Sequence, residues 1–174
     1  MTTSFVDPPA PVAVGSRREE VLALLRAADG PVPGPRSYGL LAEMLTGLVA
    51  SLKDAGPAAA HAGRAWGGHL VERSAPSERI GAGEAVTRLN RVLDAVGFAP
   101  EARTTKQGTE VLLHHCPFRE VAEKHTDVVC AIHLGLMQGA LEELDAPIDA
   151  TSLEPFVTPQ LCVARLQPKK AGSR

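Results

Sequence analysis

The chain has 174 residues, of which 44% are hydrophobic, enough to bury the core of one medium domain or two small ones and too many for wholesale disorder. A formal net charge of -2 excludes broad phosphate coating of nucleic acid, though a local basic face on a small module remains compatible with it. No run of about 18 apolar residues occurs, so no membrane span is expected, and the opening MTTSFVDPPAPVAVG lacks the basic and apolar regions of a signal peptide.

Residues 1–15 are rich in proline and polar groups and read as a disordered tail. Ser16 with Glu19 three residues later forms a capping box, and Val21, Leu22, Leu24 and Leu25 make an apolar stripe that Gly30 ends. Arg17, Arg18, Glu19 and Glu20 suit a solvated helix face. After prolines 31, 33 and 35 a second helix is expected from Tyr38 to Leu52, with Leu41, Met44, Leu45, Leu48 and Val49 on one face. A third should run from about Ala58 to Glu72. It carries Trp66, expected to pack between the helical region and the C-terminal half of the chain. SAPSERIGAG is a loop, and Glu84 to Val96 is a helix with Val86, Leu89, Leu93 and Val96 as its core stripe and Gly97 as its stop.

The pattern then changes. Glu101–Thr105 and Thr109–His115 read as strands about the turn Lys106-Gln107-Gly108. Pro117 suits the first position of a short helix, and Asp127 suits the cap of a longer one from Val128 to about Leu144. Thr151–Val157 and Leu161–Leu166 form a second hairpin about Pro159. The expected fold class is α+β: a helical N-terminal and dimerisation region, then antiparallel hairpins sharing one sheet and packed with helices. The acidic group Glu142, Glu143 and Asp145 at a helix end reads as solvated, and residues 168–174 as a polar tail.

Chemistry concentrates in the second half. Cys116 follows a strand, Cys130 lies on the long helix, His133 follows three residues later on the same helical face, and Cys162 opens the last strand. The series is Cys-x13-Cys-x2-His-x28-Cys, with His114 and His115 directly before Cys116 as further donors. Thiolates are soft ligands for zinc and iron–sulfur clusters, and imidazole serves both. The spacing has no Cys-x2-Cys pair, however, and free cysteine often behaves as a small buried hydrophobe. Spacing alone therefore leaves metal binding and structural packing both open. Three cysteines, an odd number, fit a disulfide framework poorly and a reducing cytoplasm better. No Gly-rich phosphate loop, HExxH or GxSxG occurs, and a Cys116–His115 nucleophile pair on one strand would point to opposite faces, so an enzyme is not expected.

The stretches HHCPFREVAEKHTDVVCAIHLGLMQGALEEL and LEPFVTPQLCVARL resemble the C-terminal domain of bacterial winged-helix transcriptional regulators similar to the SufR iron–sulfur repressor, near the DeoR and ArsR groups. RSYGLLAEMLTGLV, AWGGHLVER and LNRVLDAVGFAPEA extend the resemblance over roughly residues 16–167, and Cys116-Pro117-Phe118 with Cys130 and Cys162 is its most specific part. The resemblance implies residues 16–33 as the remnant of a winged-helix DNA-binding domain, 34–74 as a helical linker and dimerisation region, and 84–167 as a cysteine-containing sensor domain. It implies a cytoplasmic homodimeric repressor bound to a DNA operator through winged-helix heads. Cys116, Cys130 and Cys162 would hold an iron–sulfur cluster (4Fe-4S or 2Fe-2S), and redox or cluster state would control DNA binding.

Two departures stand out. SufR uses four cysteines, so here a fourth ligand would have to be His133, the leading candidate because it shares a helix face with Cys130, or else His115, a carboxylate or an exogenous group. The chain also passes directly from Pro33 to Gly34 where such regulators carry the recognition helix, so no DNA-reading residues are assigned. The competing reading is a zinc-stabilised or metal-free ligand-binding and dimerisation module with structural cysteines.

Overall fold

A computed structural model describes residues 38–72, 79–106 and 108–169. The tail expected over 1–15, the helix expected from Ser16, the winged-helix remnant at 16–33 and most of the tail at 168–174 lie outside the described residues.

The first described helix, α1, spans Tyr38–Ala50, and α2 spans Ala55–Leu70, starting three residues before the expected Ala58. Helix α3 covers Ala82–Val96. It ends where expected, because Gly97 adopts the left-handed conformation at φ 103° and donates its N–H to the carbonyls of Leu93 and Asp94. Of its expected stripe, Leu89 and Leu93 are fully buried, while Val86 and Val96 pack at the margin.

The strands are β1 Pro100–Thr105, β2 Gly108–Leu113, β3 Ile148–Thr158 and β4 Leu161–Pro168. They form one antiparallel sheet in the order β1-β2-β4-β3, two hairpins joined through β2 and β4. The fold class is α+β, as the alternation of patterns implied. Strand β2 is shorter than the sequence suggests. It ends at Leu113, opposite Pro100, because Ala99 turns to φ 46° and breaks the regular ladder. Pro117 does not open the short helix. It sits in the preceding turn, and α4 covers Arg119–Ala122. The long helix α5, Thr126–Glu143, begins two residues before the expected Val128. His125 occupies its cap position without a side-chain hydrogen bond, and Asp127 falls inside the first turn, where a carboxylate favours the helix dipole.

Helices cover one face of the sheet. Val111 and Leu113 of β2 and Ala164 and Leu166 of β4 point inward by strand alternation and join Leu89, Leu93, Phe98, Met137, Leu141 and Leu144 in a single buried cluster. The opposite parity places charges outside, where Glu110 accepts from Arg103 at 2.6 Å and lies 3.5 Å from Arg165, which also pairs with Glu154. Helices α1 and α2, the expected linker and dimerisation region, belong to the same compact unit as the sheet, Pro35–Arg174. No helix among the described residues is long and apolar enough to cross a membrane.

Helix α2 meets α5 backbone to backbone. A Cβ on Gly63 or Gly67 would collide with the carbonyls of Ile132 and Leu136, and one on Gly135 or Gly139 with those of Ala60 and Arg64. Glycine inside a helix costs about 1 kcal/mol relative to alanine, so these four weaken their own helices. The close approach they permit offsets that cost. This face leaves no room for a large side chain, and Trp66 accordingly turns away. It is 51% exposed and sits edge-on to His69 at 6.3 Å, not between layers as expected.

Gly135→Ala should therefore destabilise the fold by about 1–3 kcal/mol or more through overpacking. Gly83→Ala, where an added Cβ meets nothing within 4 Å, should be neutral or stabilising by up to about 1 kcal/mol. Urea denaturation of the two variants checks the contrast.

Candidate functional site

Three separate elements bring the cysteines together. Cys162 is the second residue of β4, opposite Leu113 in the ladder, and is buried. Cys116 lies three residues beyond β2, in the connection to α4, and is partly buried. Cys130 sits in the second turn of α5 and His133 one turn further. All four side chains line one cavity of about 10 Å³, roughly the space of a single water. Among the described residues, no three His, Cys, Asp or Glu side chains are grouped so as to hold one metal ion. The thiols surround a common space without converging on a single point.

The surroundings set the protonation of these groups. Burial, then the nearby Cys162 and Cys116 sulfurs, push the Cys130 thiol up to about 12. Burial also raises Cys116, against the pull of the Phe118 backbone N–H. Arg119 opposes the shift at Cys116, as the smallest of the influences there, and both thiols stay protonated at neutral pH, so any metal taken up here must displace their protons. Cys162 has a donor of its own, the Phe156 N–H at 3.4 Å from its Sγ.

His133 is only 7% exposed and stacks on Phe98, with ring centroids 3.8 Å apart and planes 18° from parallel. Its Nε2 is buried with no hydrogen-bond partner in the protein. Burial pushes its pKa down to about 3, so the ring is neutral at neutral pH. An unpartnered buried nitrogen costs about 1–3 kcal/mol, and a neutral imidazole is the form that ligates a metal.

His115 shares the cavity wall. The strand argument that set it on the opposite face from Cys116 fails because β2 ends at Leu113, leaving both residues in an irregular connection. Its Nδ1 donates to the Gly97 carbonyl at 2.7 Å, which leaves Nε2 available in the neutral ring, the usual arrangement of a metal-bound histidine. His114 turns outward instead, with Nε2 at 3.0 Å from Glu101.

A second, open cleft of about 300 Å³ is lined by His114, Arg119 and Gln160 and shares Cys116 and Cys162 with the cavity. Two aromatic residues that sequence reasoning passed over complete the site. Phe98 supplies the stacking surface for His133, and Phe156 borders both spaces. Phe98 directly follows the helix-stopping Gly97 and could have been suspected as core. Nothing in the local pattern around Phe156 announced its role.

His133 also predicts an acid sensitivity. A histidine held neutral in the fold, with its pKa lowered from 6.5 to about 3, contributes stability that is complete above 6.5 and is lost as pH falls toward 3. The loss from this residue is about 1.4 kcal/mol per pH unit in that window. In metal-free protein, His133→Leu should flatten that part of the stability profile, measured by urea denaturation at pH 7.5 and pH 5.

No family model, curated protein or solved structure matches this chain.

Proposed function

We propose that this chain is the sensor part of a winged-helix transcriptional regulator, a repressor whose DNA binding depends on an iron–sulfur cluster held by Cys116, Cys130 and Cys162. His133 is the fourth ligand in this reading and His115 the alternative. One observation carries it: three thiols and a buried, unpartnered imidazole from different parts of the chain line one cavity. The resemblance of the Cys116-Pro117-Phe118, Cys130 and Cys162 segments to SufR-like regulators supplies the regulatory context.

The donor set fits the group. Soft sulfur ligands and a neutral nitrogen suit iron–sulfur chemistry. Among the described residues no three such side chains are grouped to hold one metal ion, so in this reading each thiolate would attach to a different iron. The cavity of about 10 Å³ is too small for a cluster as it stands, so binding one requires its lining to move.

The bound group supplies a cross-link between elements and a redox-sensitive centre. The chain's own residues would convert that cross-link into a conformational preference. Cys116 and Cys130 flank α4 and the turn into α5, and this segment touches α1: Lys124 Nζ lies 3.1 Å and His125 Nε2 3.6 Å from Glu43, and Gly47 lies against the His125 ring. Fixing both thiols favours one placement of that segment, and releasing them removes the preference.

Helix α1 supports a homodimer. Tyr38, Leu41, Leu45 and Leu48 are each at least half exposed, and their alternate spacing of three and four residues forms a seam of the kind that packs against another helix. Paired copies would present two DNA-binding heads to a palindromic operator in a reducing cytoplasm.

The deciding experiment is iron and acid-labile sulfide analysis, with an absorption spectrum, on full-length protein purified without oxygen. Iron, sulfide and a visible chromophore are expected, and Cys116→Ser, Cys130→Ser and Cys162→Ser should each lose them. Stoichiometric zinc without sulfide would transfer the assignment to a zinc-stabilised module, and metal-free wild-type protein to structural cysteines. For the dimer, Leu45→Asp combined with Leu48→Asp should convert a dimer into a folded monomer, read by sedimentation equilibrium. A monomeric wild type would sink that part.

A further inference from the structure

Strand β1 lies at one edge of the sheet and β3 at the other. The two edges are unlike. Strand β3 shifts register twice against β4 and carries Pro155 and the left-handed Phe156, irregularities of the kind that blunt an edge against further pairing. Strand β1 keeps an unbroken register with β2 from Pro100 to Thr105, and Glu101, Ala102, Arg103 and Thr104 are all exposed. A regular, exposed edge is a template for another strand.

The parity of the ladder decides which backbone groups face outward. The His114 N–H donates to the Ala99 carbonyl at 3.3 Å, in step with the Pro100–Leu113 pairing. Antiparallel pairs alternate between hydrogen-bonded and non-bonded. Glu101, Arg103 and Thr105 therefore turn their N–H and C=O groups to β2, and Ala102 and Thr104 turn theirs to the open side. Pro100 is also at an outward position and has no N–H to leave unmet. On one face of the strand, Glu101 and Arg103 stand on either side of Ala102 with opposite charges.

We propose that β1 pairs antiparallel with β1 of a second copy about a two-fold axis at Ala102, joining the two sheets edge to edge. The strand is its own complement in this register. Each Ala102 exchanges both backbone bonds with its mate, and each Thr104 N–H donates to the Pro100 carbonyl of the other copy. Glu101 of each copy then lies opposite Arg103 of the other, with Cβ atoms about 4.5–5.5 Å apart. The neighbouring registers of the same parity set Glu101 against Glu101 or Arg103 against Arg103, and the like charges select against them. Both charges already have partners in their own copy, Arg103 on Glu110 and Glu101 on His114. Exposed pairs contribute little, so they fix register more than strength. With few bonds the contact is weak, with a dissociation constant on the order of 0.1 mM. It involves neither the cysteines nor α1, so it stands apart from the proposed cluster and from the helical seam.

The test uses the full-length chain carrying Leu45→Asp and Leu48→Asp, which silences the α1 seam, and sedimentation equilibrium from about 10 µM to about 1 mM. A monomer–dimer equilibrium is expected in the upper part of that range. Ala102→Pro, which the fold tolerates because the lost N–H faces outward, should weaken association by about tenfold or more. Glu101→Lys and Arg103→Glu should each weaken self-association about fivefold, and an equimolar mixture of the two should regain the parent's affinity to within about twofold, since each charge then meets its opposite. Amide hydrogen exchange resolves the site: Ala102 and Thr104 should gain protection as concentration rises, whereas Glu101 and Arg103, already bonded to β2, should not change. A parent that stays monomeric to about 1 mM overturns the proposal and leaves the edge to an extended segment of another protein. Association that Ala102→Pro leaves unchanged also overturns it, as does a mixture that fails to recover. Should Ala102→Pro not fold, the charge-swap mixture decides.

Discussion

The contact on which the rest of this fold depends is the backbone apposition of α2 and α5. Gly63 and Gly67 face the carbonyls of Ile132 and Leu136, and Gly135 and Gly139 face those of Ala60 and Arg64, with no space for a Cβ on either side. Such an approach fixes depth and rotation together, since a small turn of either helix would bring a larger residue into the gap. Arg64 reinforces it from the rim, donating to Gln138 at 2.6 Å and to Glu142 at 3.1 Å. Gln138 in turn donates to the Ala150 carbonyl on β3, tying the helix to the sheet. With α5 held this way, Val129, Cys130 and His133 have only one direction to face, toward the thiols carried by the sheet side.

The site that results is polar chemistry in apolar surroundings. His133 lies flat on Phe98 with a buried nitrogen that nothing in the protein satisfies, and Cys130 is held protonated by burial and by its sulfur neighbours. A core built only for stability would place aliphatic side chains here, because an unmade hydrogen bond costs more than a methyl contact returns. Orphaned polar groups of this kind are where a missing partner is expected. The backbone N–H groups of Phe118 and Phe156 already point at two of the three sulfurs, a donor pattern that stabilises negative charge on them.

Two other features fit the same picture of a structure held ready for change. Helix α1 buries none of its residues and leaves its leucine seam open, while Glu43 on its other side reaches the segment between Cys116 and Cys130. The β3–β4 hairpin shifts register twice, between Ala150 and Ser152 and between Glu154 and Thr158, and Phe156 within the second shift stands at φ 50°. Strain and exposed apolar surface both cost stability.

Local physics was enough for the type of most described elements, though not for all of their ends. Period 3.6 in α1 and α3, the strand patterns of the hairpins, and the left-handed stop at Gly97 follow from side-chain spacing and backbone sterics, which neighbours only modulate. The cysteines and His133 were legible as soft donors, and the shared helical face of Cys130 and His133 follows from their spacing. Tertiary structure decided the rest. That His115 joins Cys116 depends on where β2 loses its ladder at Ala99, that Trp66 turns outward depends on the glycine face beside it, and that Phe156 borders the site depends on a bulge opposite β4. Each of these is set by contacts between residues distant in the chain, and no local propensity carries that information.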